Sequence, residues 1–211
     1  MVRTVAITLL RHGLTEDNQE KRFIGWSDSD LCVEGREQLH LFKSHSLEPD
    51  YIICSDLKRC AESREILFGH NQKIPIEYAT NWRENNFGDW ERKTHQELMG
   101  DVNYQSWLQD WKTTQIPNGE DYSTFSDRVL LGWQHATRLF LADTVNQIVI
   151  ITHGGPIRKI LSDYAPLKRE FWEWEVVHGT GFTLETTTEH LRRNERCISL
   201  LEVPFKVNKN G

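Results

Sequence analysis

The sequence predicts an α/β protein, a three-layer sandwich whose mostly parallel central sheet is flanked by helices, with a helical cap inserted over the active site. Three observations predict it. Three short continuous apolar runs, VAITLL at 5–10, YIIC at 51–54 and IVII at 148–151, are rich in β-branched residues, the pattern of strands buried on both faces. Stretches with helical periodicity lie between and after them, and alternating strands and helices imply parallel strands joined by crossovers. The chain has 211 residues, 38% hydrophobic and 27% charged, with no repeat and no Pro/Gly/Ser linker, so one domain over 1–211 is expected.

The elements follow in order. Val5 to Leu10 is the first strand and runs into Arg11 and His12; Tyr51 to Cys54 is the second. Leu57, Cys60, Ala61, Ile66 and Leu67 then share one helical face that stops at Gly69, a natural C-cap. Ile74 to Tyr78 alternates like a strand near a sheet edge. The stretch of about 82–117 breaks the alternation. It has no strand pattern, begins a helix at Thr94-His95-Gln96-Glu97, a capping-box sequence, and holds Trp82, Trp90, Trp107 and Trp111, four of the eight tryptophans. It is expected to be the cap, although any one of these tryptophans is otherwise explained as core filling. Tyr122, Phe125, Val129, Trp133, Ala136 and Phe140 recur every three or four residues, the cleanest helical stripe in the chain. Ile148 to Ile151 is a third buried strand, and Ile157, Ile160, Leu161 and Tyr164 mark a helix with Pro156 in its first turn. Gly181 to Thr186 and Cys197 to Val203 alternate and belong nearer the edges.

Composition excludes several classes. With 25 basic and 31 acidic residues the formal charge is −6, which repels polyanions at long range, so a nucleic-acid binder is not expected while a small anion can still be captured. No run approaches the 18 or so apolar residues of a membrane span, and the N-terminal apolar run lacks a small-residue cleavage site. A cytoplasmic protein is expected. Cys32, Cys54, Cys60 and Cys197 form no C-x-x-C and are expected to be small buried hydrophobes; no spacing suits a metal, and no cofactor is called for.

Two of the buried strands end in the same polar device, Arg11-His12-Gly13 and Thr152-His153-Gly154-Gly155. Ligands of parallel α/β sheets bind outside the carboxyl ends of the strands, so neighbouring strands would bring His12 and His153 face to face. A third strand runs into Ser55-Asp56-Leu57-Lys58-Arg59, which places Arg59 in the first turns of a helix at the same edge. Arginines and helix N-termini both favour anions, and a neutral imidazole between them has the chemistry to attack phosphorus.

The residues Leu10-Arg11-His12-Gly13-Leu14-Thr15-Glu16-Asp17-Asn18 resemble the R-H-G-x-T-x-x-N signature of the histidine phosphatase superfamily, in its phosphoglycerate-mutase-like branch. Further segments match in order: Gly25-Trp26-Ser27-Asp28 to Leu31 with Glu34-Gly35, Ser55 to Cys60 with Ser63, Trp82-Arg83-Glu84 before Phe87 to Glu91, Pro117-Asn118-Gly119-Glu120, and Thr152 to Arg158. The resemblance implies that His12 is the nucleophile that becomes phosphohistidine and that Glu84 is the general acid. It implies that Arg11, Arg59 and His153 hold the phosphoryl oxygens, with Asn18 and the Gly25 and Gly154 backbone as lesser contacts. Asp89 and Glu91 are the nearest alternative acids. Lys21 and Arg22, on the loop after the nucleophile, are candidates for a second anionic group of the substrate; Arg64 and Arg92 are either surface residues or extra cations. Cys32 stands where the family usually has a threonine at a helix N-cap, and Ile24 where a polar residue is usual.

The expected activity is metal-independent hydrolysis of a small phosphorylated metabolite, similar to the small phosphatases and α-ribazole phosphatases of the branch. A cofactor-dependent phosphoglycerate mutase is the alternative. It is disfavoured because only Arg92, Lys93 and Lys112 are basic between Asn85 and Pro117, where mutases carry a longer basic insertion. A catalytically silent phosphate-binding protein is the third reading, and the presence of every core residue argues against it. The sequence does not speak to oligomeric state.

Overall fold

The apolar run at the N-terminus becomes β1 (Thr4–Arg11), followed by α1 (Glu16–Gln19) and α2 (Val33–Phe42). Then come β2 (Tyr51–Cys54), α3 (Lys58–Phe68), β3 (Ile76–Tyr78), α4 (His95–Leu98) and α5 (Val102–Gln109). The chain continues through α6 (Tyr122–Leu141), β4 (Gln147–Thr152), α7 (Gly154–Tyr164), β5 (Gly181–Thr187), α8 (Thr188–Arg192) and β6 (Ser199–Val203). The structure is a computed structural model that describes residues 2–42, 47–141 and 145–204; residues 205–211 of the expected domain lie outside the described residues.

The strands form one six-stranded sheet in the order β3-β2-β4-β1-β5-β6. β3, β2, β4 and β1 pair in parallel, while β5 pairs antiparallel with both β1 and β6, so β5 alone runs against the rest. The alternation of side chains divides the core into two layers. Val5, Ile7, Leu9, Ile148 and Ile150 join the cluster under α6 and α7, whereas Leu10, Ile52, Cys54, Val149 and Ile151 join the one under α2 and α3. Helices on both faces of a mixed, mostly parallel sheet give the three layers.

The local chemistry explains the ends of several elements. β3 begins at Ile76 instead of Ile74, because Pro75 has no N–H for a ladder and only its carbonyl pairs, accepting from Ile52 N at 3.0 Å. The Cys32 sulfur accepts the N–H of Gly35 at 3.3 Å, so the cysteine caps α2 as a hydroxyl would. Thr94 and Glu97 form the capping box of α4. Gly69 closes α3 with right-handed helical angles, without the left-handed turn a glycine permits there. All four cysteines are buried free thiols.

The segment from Trp82 onwards holds two 3-10 turns, α4 and α5, and no strand among its residues. Trp82 itself packs in the main core beneath α6, and Trp90 and Trp107 form a separate cluster with Leu98, Tyr104 and Ile116. Trp111 packs against both clusters, at the seam between them.

Candidate active site

β1 and β4 pair in register through Arg11 and Thr152, so the residues that follow, His12 and His153, leave the sheet side by side. Their rings meet edge to face with centroids 5.0 Å apart, and both are buried. His12 Nδ1 lies 2.7 Å from the Gly13 carbonyl. A carbonyl only accepts, so this nitrogen carries the proton and Nε2 keeps the lone pair. The Gly13 N–H is held by Ser63 Oγ at 3.0 Å, and Ser63 donates in turn to the Arg59 carbonyl at 2.6 Å, so α3 fixes the turn that carries His12. Burial, with the positive charges of Arg59 and Arg11 beside it, pushes His12 well below the ordinary imidazole range. His12 is therefore neutral.

Arg59 is buried in the first turn of α3. Its Nε donates to His153 Nδ1 at 3.2 Å, and its two Nη atoms to the carbonyls of Ser27 at 3.0 Å and Gly25 at 2.6 Å. Because His153 Nδ1 accepts, its Nε2 bears the proton, which goes to Ser55 Oγ at 2.9 Å. Burial, followed by Arg59 and His12, holds His153 well below the imidazole range as well. Arg11 donates through Nη1 to the Val176 carbonyl at 2.6 Å, while its buried Nε has no partner. Burial lowers Arg11 to about 10, opposed by the nearby Glu84 carboxylate, so the guanidinium stays charged at neutral pH.

Glu84 faces this group from the segment after β3. Its Oε2 accepts from Gly155 N at 3.0 Å and its Oε1 from Asn85 N at 2.9 Å. A Cβ on residue 155 would stand 2.1 Å from Glu84 Oε1, so only glycine allows that approach. The peptide of Glu84 is also clamped. Its carbonyl accepts from Trp26 Nε1 at 2.9 Å and from Arg128 Nη2 at 3.2 Å. Arg128 additionally donates to the carbonyls of Thr80, Asn81 and Arg83 and forms a two-pronged pair with Glu120 at 2.8 and 2.6 Å. Thr152 Oγ1 donates to the Trp82 carbonyl at 2.6 Å, tying the same segment to the end of β4.

The remaining sequence candidates are placed as follows. Asn18 stands on the wall of a cavity of about 210 Å³, shared with Arg11, Glu84, Gly155 and Arg158; its Oδ1 is buried without a partner. Gly154 begins α7 beside the Arg11 and Arg158 guanidinium groups. Gly25 is nearby, but its N–H is taken by the Glu91 carboxylate at 3.0 Å and its carbonyl by Arg59. Glu91 also accepts from the N–H groups of Trp26, Ser27 and Phe87, so it staples two loops together, and unlike Glu84 it does not line the cavity. Asp89 pairs with the Asn118 amide. Arg22 lines the cavity, yet its guanidinium is held by Glu20 at 2.7 Å, Glu97 at 3.2 Å and the Arg92 carbonyl at 2.6 Å, which fastens the loop after α1 to α4. Arg64 bonds to Glu65 and Tyr78, and Arg92 to the Asp28 carbonyl, both off the cavity wall.

Two residues at the site carry no role in the sequence argument. Arg158 sits one turn beyond Gly154 on the cavity wall, with Nε bonded to the Trp174 carbonyl at 3.0 Å; the four-residue spacing from the glycine turn is the signal that could have marked it. His178 also meets His12 edge to face, at 5.4 Å, and the next N–H, Gly179, donates to the His12 carbonyl at 3.0 Å. Burial and the charges of Arg11, Arg59 and Arg158 push His178 down to about 3, and its buried Nε2 has no partner. Nothing in the sequence marks it, because it depends on β5 pairing with β1.

The arrangement is a cluster of guanidinium groups around neutral imidazoles, beside a fixed carboxylate, at the carboxyl edge of a parallel sheet. It is built to receive an anion and to present a nitrogen lone pair to it. Among the described residues no group of three or more His, Cys, Asp or Glu is placed to hold a metal ion, and no helix is long and apolar enough to cross a membrane.

Residues 7–197 match the family model of the histidine phosphatase superfamily, branch 1. The chain is similar to the adenosylcobalamin/alpha-ribazole phosphatase of Escherichia coli strain K12, 29% identical over 177 residues that cover 81% of this chain and 85% of that protein. It is 27% identical over 194 residues to the 2,3-bisphosphoglycerate-dependent phosphoglycerate mutase of Blochmanniella floridana, covering 76% of this chain and 82% of the mutase. The crystal structure of the alpha-ribazole phosphatase from Shigella flexneri superposes with a TM-score of 0.76 at 26% identity, covering 86% of this chain and 90% of that one.

Proposed function

The chain belongs to the histidine phosphatase superfamily, branch 1, and from that premise we propose that it is a metal-independent phosphomonoesterase acting on a small phosphorylated metabolite. The observation that carries the reading is the His12 tautomer: with Nδ1–H held by the Gly13 carbonyl and the ring kept neutral, Nε2 offers its lone pair beside Arg11 and Arg59. That nitrogen attacks phosphorus and the bond to the ester oxygen breaks. Glu84, in its protonated form, gives its proton to the departing alkoxide. The resulting carboxylate then takes a proton from water, whose oxygen attacks phosphohistidine and releases inorganic phosphate and the free imidazole. Arg11 and Arg59 neutralise the transferring group, which is most of what phosphoryl transfer requires.

His153 now gives its Nε2–H to Ser55; a turn of the ring would aim the same donor at a phosphoryl oxygen. Asn18 and the Gly154 N–H at the start of α7 act as lesser contacts, and Gly25 contributes by receiving Arg59 through its carbonyl. Arg22 acts as a brace of the cavity wall, and any contact it makes with substrate comes from a guanidinium already paired to Glu20 and Glu97. Residues 1–211 serve as one unit with 82–117 as its cap, working in the cytoplasm without a nucleic-acid or membrane partner.

The mutase reading needs free cations for a second phosphate. Of the three basic residues between Asn85 and Pro117, Lys112 lies against Glu170 and the Trp111 ring, Arg92 is bonded to the Asp28 carbonyl, and Lys93 is exposed; none of them lines the cavity, which favours hydrolysis. Release of phosphate from p-nitrophenyl phosphate in the presence of EDTA tests the proposal. Turnover that persists supports it, whereas activity that disappears and returns with magnesium or zinc overturns metal independence, and no turnover under any condition overturns the enzyme.

A further inference from the structure

The cavity that opens from Glu84 and Arg11 is walled by aromatic rings: eight of its nineteen described lining residues are Phe, Tyr or Trp. They come from distant parts of the chain. Phe23 follows α1, Trp107 and Trp111 belong to the cap, and Trp172 sits in the 3-10 turn of Phe171–Glu173 after α7. Trp111 meets Trp172 edge to face at 5.3 Å, and Trp107 meets it at 6.3 Å. Core filling accounts for Trp107, which is buried, but not for Trp172, which remains 53% exposed. The same four residues, Phe23, Trp107, Trp111 and Trp172, also line an outer cleft of about 320 Å³, so the apolar surface runs unbroken from the catalytic carboxylate to solvent.

Cations on this wall without an ion-pair partner among the described residues stand at its inner end. Arg11 and Arg158 stand beside the phosphoryl position; Arg22 is answered by Glu20 and Glu97, and Glu120 by Arg128. A leaving group bearing a second phosphate or a carboxylate would meet rings where it needs cations. A flat apolar ring would meet edges and faces at the spacing aromatic groups prefer, about 4.5–7 Å between centroids. Size agrees: a dry cavity of about 150 Å³ admits benzene, and the cavity of about 210 Å³, which also takes in the phosphoryl position, seats one ring beside the phosphate, with the rest of a larger ring system lying in the outer cleft.

We propose that the substrate is a phosphomonoester whose alcohol carries an aromatic or heteroaromatic ring, gripped by Phe23, Trp107, Trp111 and Trp172 while its phosphate lies at Arg11 and His12. This rests on the phosphomonoesterase reading and specifies its leaving group. The four residues determine specificity and leave the bond-making chemistry to the sheet edge.

Three primary alkyl phosphates of equal leaving-group type separate the contributions: ethyl phosphate, glycerol 1-phosphate and 2-(1-naphthyl)ethyl phosphate. The naphthylethyl ester should show kcat/KM at least about thirtyfold above the other two, within the range that apolar pocket contacts supply. In Trp111→Ala and Trp172→Ala the ratio of naphthylethyl to ethyl turnover should fall about tenfold. Read as a ratio, this is independent of how much of each variant folds. Equal kcat/KM for the three esters, a preference for glycerol 1-phosphate, or an unchanged ratio in both variants would overturn the ring site. If no ester is hydrolysed, the phosphatase reading fails, and calorimetry with 2-(1-naphthyl)ethylphosphonate against ethylphosphonate decides the ring site alone: tighter binding of the naphthyl compound supports it and equal binding overturns it.

Discussion

At the residue scale, the site works by removing choices from a few side chains. His12 has one nitrogen tied to Gly13 and therefore one lone pair free, so on the proposed mechanism His12→Ala should be almost inactive. Rapid quench of the wild type with labelled ester should trap an acid-labile, base-stable phosphoenzyme; an acid-stable adduct would point to a hydroxyl nucleophile. Glu84 has both oxygens anchored by backbone N–H groups at the cavity wall. Glu84→Gln should lose about 10²- to 10⁴-fold on an alkyl phosphate and far less on p-nitrophenyl phosphate, whose phenolate leaves without a proton. Equal losses on both would make Glu84 a positioning group. Much of this was legible in the sequence: Arg11, His12, Arg59 and His153 were placed by strand ends that the buried-strand pattern located. Arg158 and His178 were not, since one depends on a helical face and the other on a pairing partner that no local pattern names. Nor did the sequence reveal that the Gly25 amide is occupied by Glu91, because a loop staple of that kind is made between segments 66 residues apart.

At the scale of elements, the segment carrying Glu84 is held by α6 through Arg128, which gathers four carbonyls and the Glu120 carboxylate. Arg128→Met should leave Glu120 buried without its partner, costing about 3 kcal/mol or more in urea unfolding. It should also lower kcat on alkyl esters more than on aryl esters with KM little changed, the signature of a displaced proton donor. A loss confined to stability would limit the strap to holding the fold. The strands at 5–10, 51–54 and 148–151 were legible because burial on both faces makes them continuous apolar runs. α1 and α8, of four and five residues, are too short to show a period. α2 is longer, but Val33 and Leu41 are 67% and 73% exposed, which blurs its apolar stripe. The helical, strand-free character of the segment after Trp82 was legible from a capping box, and its cluster of tryptophans from their density, though Trp82 proved to belong to the core.

At the scale of the whole molecule, three imidazoles packed at the site make stability depend on pH. His12, His153 and His178 are all held below their ordinary value of 6.5. The unfolded chain takes up their protons as pH falls through 6.5 and the folded chain does not, so stability is full above that point and is lost below it. Each group contributes at most about 1.4 kcal/mol per pH unit. Urea unfolding at pH 7 and pH 5.5, above the carboxylate range, should show a lower free energy at pH 5.5; a flat or rising profile would mean that these rings are protonated in the native state. Inorganic phosphate at saturating concentration should raise stability at both pH values, by binding only the folded site. The reversed direction of β5 has a different consequence, in the order of synthesis. The residues leading into β5 supply the Val176 and Thr180 carbonyls that receive Arg11 and the Gly179 N–H that holds the His12 carbonyl. A nascent chain that has reached residue 170 already contains Arg11, His12, Arg59, Glu84 and His153, yet lacks the backbone that aims the first two. The catalytic edge becomes whole only when this late segment folds back across some 165 residues onto the first strand, so a ribosome-bound chain stopped before β5 should stay silent while one released after β6 turns over.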